Sequence, residues 1–483
     1  MTTNNPLSRL PSNYLGYLSL LFWCVVTLFL LRHDLYSLDE GAAKSLLLIW
    51  SISDNVASSV VTFGAPDLRT VLFAPAGILW TGNIFAPKIF TVLALAFAAY
   101  LLHAWSRRNG TAESALLSTG LLIISPLALQ QIDMLSPGIY LLLAFALGAW
   151  LNDAYRANPS PFGGWYFSQL LIIALCVSLH PAGLAYPLAL FWAWQKDPIN
   201  KIQQKYFFIG IGFVTLFTLL VRMGWTDLEW LQNPLKSLAH ISLGASLNGE
   251  MTTARWIAGG LTLAALIFIA VKQYNKILSD FTGRTLFLAL AIGSATSDSA
   301  WSLIALCVVL YFGLPLLLGP AKNSSAGFIQ ARGSALLLVI VLSTIFMLAD
   351  KSHYLVRQSG ILSSQDRLIK TLADEAENVR KSAEANDGAI KSGDRLRVAS
   401  QWPSRTMIAC QCDTLPLPPA AKDPQAQLAM LHSITHLLFN PQQPGNILLS
   451  RNLSLLGGAT ETIALEPGGV LLRLKNTNIP KDK

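Results

Sequence analysis

Hydrophobic positions in the first 350 residues do not alternate with polar ones; they run together. Apolar runs cover residues 14–31, 88–105, 115–129, 138–151, 165–179, 182–194, 206–221, 256–271, 285–295, 301–318 and 335–348. A bilayer core takes about 20 mostly apolar residues to cross. A backbone in lipid must satisfy its own hydrogen bonds, so each run predicts a helix, about eleven in all. The polar break Thr296-Ser297-Asp298-Ser299 separates the ninth run from the tenth. After residue 350 the pattern changes. Residues 364–382 are rich in Glu, Lys and Ala, and Ser363 with Asp366 makes a capping box at their start. Short strand-like runs follow at 396–400, 406–411 and 446–450. Two more, at 461–465 and 470–475, flank Pro467-Gly468-Gly469, which reads as a hairpin turn. The expectation is an α-helical polytopic membrane domain over 1–349 and a small soluble α/β domain over 350–483.

Composition agrees. Only 13% of the 483 residues are charged and 53% are hydrophobic, whereas soluble domains carry about 25% charged residues. No small-residue cleavage site follows the first run; Arg32-His33-Asp34 does, so the run reads as a retained helix rather than a removed signal. The net charge of +8 would suit a nucleic-acid partner in a soluble protein. Here no dense Lys/Arg cluster with interleaved aromatics exists, and the basic residues sit in loops between spans, which excludes that partner. Their distribution sets orientation. With the N-terminus inside, the inner loops carry Arg107, Arg108, Arg156, Lys196, Lys201, Lys205, Lys272, Lys276, Arg284, Lys322 and Arg332. The outer loops carry fewer: Arg32, Arg69, Lys88, Arg222, Lys236 and Arg255. This places 32–87, 223–255 and the whole tail outside, in the periplasm where the cell has two membranes.

The loop 32–87, of about 55 residues, is far longer than its fellows, and loops above about 15 residues are usually functional or disordered. It is too apolar for disorder. Residues 41–50 suit a helix at the membrane surface, with Leu46, Leu47 and Trp50 available to lipid.

That loop also holds Asp39-Glu40. An Asp within hydrogen-bond reach of a hydroxyl can take its proton during attack. The same residues also fit a plain structural role, since Ser37-Leu38-Asp39-Glu40 matches the S-x-x-E capping box. Asp54, Asp67 and Asp133 are further outer acids, and Asp298 tops the break between two spans. Cys24, Cys176 and Cys307 fall in apolar runs, where a thiol packs as a small hydrophobe. Cys410 and Cys412 form a lone C-x-C, which argues against a zinc site; a local disulfide and two free thiols are both open. No ligand cluster has diagnostic spacing, so a divalent cation is neither required nor excluded.

Four stretches resemble the GT-C glycosyltransferases, in particular the branch of protein O-mannosyltransferases and the lipid A aminoarabinose transferase. They are Asp39-Glu40-Gly41-Ala42-Ala43; Phe63-Gly64-Ala65-Pro66-Asp67 with Pro75-Ala76-Gly77-Ile78-Leu79-Trp80; Ser125-Pro126-Leu127-Ala128-Leu129, closing the third span; and His180-Pro181-Ala182-Gly183-Leu184-Ala185-Tyr186-Pro187. They cover about the first 200 residues. The chain departs from the family's pattern where His180 replaces a lysine, where Ser136-Pro137 occupies the place of an acid, and where a Pro-Pro is reduced to Pro75. The resemblance implies transfer of a sugar from a polyprenyl-phosphate donor to an envelope glycan, lipid or protein at the outer face. It implies Asp39 as catalytic base with Glu40 beside it. It implies Arg69, His180, Lys88, Arg222 and Arg255, with Asp67, around the donor's phosphate. Competing classes are a polysaccharide polymerase or ligase, a lipid-linked glycan transporter, and a non-catalytic envelope-assembly protein. A transporter predicts ionisable residues inside the spans and repeated halves; the runs hold almost none of the former, and no repeat is found.

Overall fold

The computed structural model describes residues 40–54, 68–110, 112–157, 162–195, 201–221, 253–295, 299–318, 364–385, 396–456 and 458–475, with Val25, Leu28, Leu31, Leu38 and Leu238. The chain divides into two compact units. One joins Met1–Arg32 to Phe85–His353; the other joins His33–Ile84 to Tyr354–Lys483. The segment His33–Ile84 therefore groups with the tail and not with the helices on either side of it.

The loop contributes α1 (Glu40–Asp54) and α2 (Leu68–Leu79). The helical bundle follows with α3 (Phe85–Asn109), α4 (Ala112–Ile124), α5 (Pro126–Asp133), α6 (Pro137–Ala157), α7 (Phe162–Leu179), α8 (Ala185–Gln195) and α9 (Lys201–Val221). It continues with α10 (Thr253–Lys272), α11 (Tyr274–Ser279), α12 (Phe281–Gly293), α13 (Ser299–Val308) and α14 (Leu314–Leu318). Two helices, Phe85–Asn109 and Pro137–Arg156, are each long and apolar enough to cross a membrane. Ser114–Ile123 and Leu127–Asp133 make a third candidate, bent by 43°. The described residues thus hold two full-length spans, or three with the bent pair, and shorter apolar helices where most other runs were expected. The expected first span lies almost wholly, and the eleventh wholly, outside the described residues.

The bend corrects one reading. Ser125-Pro126 does not close a span but opens α5. Ser125 caps it, its Oγ accepting the N–H of Ala128 at 3.0 Å, and Pro126 sits in the first turn, where its missing N–H is harmless.

The second unit is built on a five-stranded sheet, β1 (Arg397–Ser400), β2 (Asp413–Pro416), β3 (His436–Phe439), β4 (Thr460–Glu466) and β5 (Gly469–Leu474), in the order β2-β1-β3-β5-β4. β1 runs parallel to β2 and β3, while β5 runs antiparallel to β3 and β4. Gly468 makes the β4–β5 hairpin turn at φ +87°, where a side chain would be strained. Helix α15 (Ser364–Ala385) covers one face through Leu368, Ile369, Leu372 and Ala376, against Val398, Leu438 and Leu471. Also in this unit are α16 (Pro403–Cys410), α17 (Pro424–Met430) and α18 (Ile447–Leu455). Leu449 and Leu453 of α18 pack on the other face, against Ala399, Leu437, Phe439, Val470 and Leu472. A strand covered on both faces reads as a continuous apolar run, and β3 is buried along its whole length.

Two expected strands are helices. Residues 406–410 belong to α16, with Gln411 its C-cap, and 447–450 to the start of α18, with Asn446 its N-cap. In α16 the buried positions Ser404, Thr406, Ile408 and Cys410 alternate as in a strand. The helix has neighbours on several sides, α15, α1 and β2 among them, so the helical period is lost. The surface helix is also corrected. Leu46 of α1 is fully buried, and Leu47 and Trp50 are partly so, because α1 packs between α2 and α16. The exposed apolar stripe belongs to α2 and its end: Val71, Pro75, Ile78, Leu79 and Trp80.

Candidate functional site

In the unit of loop and tail, Glu40 opens α1 and is half-buried. Its two carboxylate oxygens accept backbone N–H groups at the start of α16, from Ser404 at 2.7 Å and Arg405 at 3.1 Å. Burial pushes the Glu40 carboxyl above its ordinary value, against the pull of those two hydrogen bonds and the Arg405 charge. The Arg405 guanidinium is paired with Asp366 in the first turn of α15. Asp366 therefore serves a neighbouring helix.

At the other end of α16, Gln411 adopts a left-handed conformation at φ 51°, the geometry that ends helices. Cys410 and Cys412, on either side of it, are joined in a disulfide, which decides between the two states left open by the sequence. Arg380 of α15 donates to Gln411 Oε1 at 2.8 Å and to the Cys410 carbonyl at 3.4 Å.

In the bundle unit, Lys88 and Asp133 form an ion pair at 3.6 Å, with side chains 0% and 7% exposed. Lys88 lies in the first turn of α3 and Asp133 ends α5. Snorkelling to the water interface, the ordinary fate of a lysine at a span end, is not what this lysine does. One helical turn on, Thr91 shares a 2.8 Å hydrogen bond with Tyr140 of α6. The turn after Asp133 holds Leu135 at φ 53°, unfavourable for a branched side chain. Such outliers cluster at functional sites. Beside it on α5, Gln130 Oε1 and both side-chain polar atoms of Gln131 are buried without a hydrogen-bond partner among the described residues.

His180 is 1% exposed and caps the 3-10 turn Pro181–Leu184, its Nδ1 accepting the Ala182 N–H at 3.1 Å. Gly183 is required there, since a Cβ would meet the Cys176 carbonyl oxygen within 1.9 Å. The other residues singled out in the sequence are less informative. Asp39, Asp67 and Arg222 lie outside the described residues. Arg69 is on α2 and Arg255 on α10, but only their backbones are described. Glu40 and Arg69 belong to one unit and Lys88, His180 and Arg255 to the other. Among the described residues no three His, Cys, Asp or Glu side chains gather as metal ligands. Sequence reasoning missed Gln130, Gln131, Tyr140, Ser404 and Arg405, and saw Asp366 only as a helix cap. The one local signal was Trp402-Pro403, a helix start without a capping side chain.

No family model matches the sequence, and no curated protein does. Solved structures do. ArnT from Cupriavidus metallidurans, crystallised bound to undecaprenyl phosphate, is similar at a TM-score of 0.52 and 11% identity, over 95% of this chain and 97% of that one. The chain has the GT-C fold. An oligosaccharyltransferase from Archaeoglobus fulgidus, in complex with zinc and sulfate, is similar at 0.50 and 11% identity, over 87% of this chain and 68% of that one. The likeness to ArnT covers nearly the whole chain, whereas the four stretches of the sequence resemblance lie within about the first 200 residues.

Proposed function

We propose that the chain is a membrane glycosyltransferase. It moves a sugar from a polyprenyl-phosphate donor to an envelope acceptor at the outer face of the bacterial inner membrane. The observation that carries this reading is likeness in fold, nearly end to end, to a protein crystallised with undecaprenyl phosphate. Asp39 is the general base in this proposal. The acceptor hydroxyl gives its proton to Asp39 as its oxygen attacks the anomeric carbon. The bond from that carbon to the carrier's phosphate oxygen breaks, and the sugar's configuration inverts. Arg69 is the first choice to meet the charge growing on the leaving phosphate, with Arg222 and Arg255 as further cations; such stabilisation strengthens where water is excluded. Lys88, neutralised by Asp133, and His180, committed to a cap, frame the outer ends of their helices.

The test is transfer by the purified chain in nanodiscs. Undecaprenyl phosphate carrying mannose, glucose or 4-amino-4-deoxyarabinose serves as donor, and an envelope extract as acceptor. Asp39→Asn should fold normally, because Asn caps as well as Asp, and should lose about 10²–10⁴-fold in rate. Undiminished transfer by this variant would make Asp39 structural. The commitment of His180 and Lys88 to internal partners favours a second reading, a non-catalytic envelope-assembly protein. That reading predicts binding of undecaprenyl phosphate without turnover of any of the three donors.

A further inference from the structure

The first turn of α16 lacks a cap of its own. Trp402, at the N-cap position, makes no side-chain cap hydrogen bond, and Pro403 has no N–H to offer. The exposed donors at the start of a helix must find partners, and here the donors of Ser404 and Arg405 both find Glu40. This carboxylate comes from a residue 364 positions earlier in the chain. The rest of α16 is fastened to the tail domain, by Arg405 to Asp366 at one end and by Arg380 to Cys410 and Gln411 at the other. Ala42, Ala43 and Leu46 of α1 are fully buried, and α1 packs against α16 as well as α2. Both Glu40 oxygens accept backbone donors, so the carboxylate is engaged by the start of α16.

We infer that Glu40 is a positioning residue, and that the C-terminal domain uses α16 to hold the first outer loop in place. Of the two adjacent acids, Glu40 anchors the segment, and Asp39, one Cα step of about 3.8 Å away, is left for chemistry. The last clause rests on the proposed transferase reading; the clamp itself does not. The domain then belongs to the working part of the protein and is not an appendage.

Hydrogen exchange and transfer kinetics on the full chain in nanodiscs test this together. In Glu40→Ala the amides of Ser404 and Arg405 should exchange about tenfold faster or more, since two hydrogen bonds to a charged group are lost. Transfer from the three undecaprenyl-phosphate sugars should fall by roughly 10²-fold, the effect of misplacing a reacting group by about 1 Å. The fall should lie in kcat, with KM for the donor nearly unchanged. Glu40→Gln, which keeps one acceptor oxygen, should recover part of both. Asp366→Asn, which loosens α16 without touching the loop, should shift both in the same direction. Unaltered protection at residues 404 and 405 in Glu40→Ala would overturn the clamp, as would faster exchange with full transfer. If the wild-type chain transfers none of the sugars, the transferase reading fails by itself, and exchange still decides the clamp.

Discussion

The ammonium of Lys88 lies 3.6 Å from the carboxylate of Asp133, and neither has meaningful contact with water. Removing one member of a buried pair strands the other charge, at about 3–5 kcal/mol, whereas replacing both with apolar residues is often neutral. Lys88→Met should therefore lower the melting temperature in detergent sharply. Lys88→Met with Asp133→Leu should recover most of it. A double variant no better than the single one would show that Asp133 is satisfied without Lys88.

His180 yields a finer test. His180→Ala strips the Ala182 N–H of its acceptor and should cost about 1 kcal/mol, the usual worth of a helix cap. His180→Asn, which caps well, should keep both stability and sugar transfer near wild type. Loss of transfer in a fully stable His180→Asn chain would give the imidazole a role at the substrate.

The tail domain should weaken in acid through His436. This side chain is 2% exposed on β3 and faces Glu375 of α15 at 3.4 Å, with Arg473 of β5 paired to the same carboxylate. Burial holds its pKa below the ordinary 6.5, although Glu375 pulls upward and Arg473 adds to the lowering. The unfolded chain thus takes up a proton more readily than the folded one. This contribution to stability is whole above 6.5 and is lost as pH falls from there through the folded value. Melting curves from about pH 7.5 down to 5 should show a decline that His436→Gln flattens.

Membrane orientation has a direct reporter. With the loop charges as they are, alkaline phosphatase fused at Asn386 should be active and at Asn323 inactive. The opposite result would place the tail, and Asp39 with it, on the cytoplasmic side.

The sequence reveals what lipid enforces and hides what tertiary contact decides. Apolar runs at 88–105 and 138–151 fall within α3 and α6, because a spanning helix must be long and apolar whatever its neighbours are. The strand at 396–400, the polar helix from 364 and the Pro467-Gly468-Gly469 hairpin follow from local signals and are found. Thr406-Met407-Ile408 misleads because α16 is buried on several sides, which erases its period. The strands Asp413–Pro416 and His436–Phe439 are four residues each, too short for alternation to register. Asp39-Glu40 stands out as a dipeptide, yet nothing near it points to Ser404 and Arg405. Lys88 and Asp133 were each visible, but as separate loop and span-end charges, since their pairing depends on the bend at Ser125-Pro126.

The clasp between Glu40 and α16 also sets a timetable. A ribosome adding about 5–20 residues per second emits the start of α16 roughly 20–70 s after Glu40, given their separation of 364 positions. Through that interval α1 has no α16 to pack against, and the carboxylate is without the Ser404 and Arg405 donors. A chain stopped anywhere before Pro403 would stay in that state permanently, so nascent or truncated forms should be the ones that chaperones and proteases of the envelope find first.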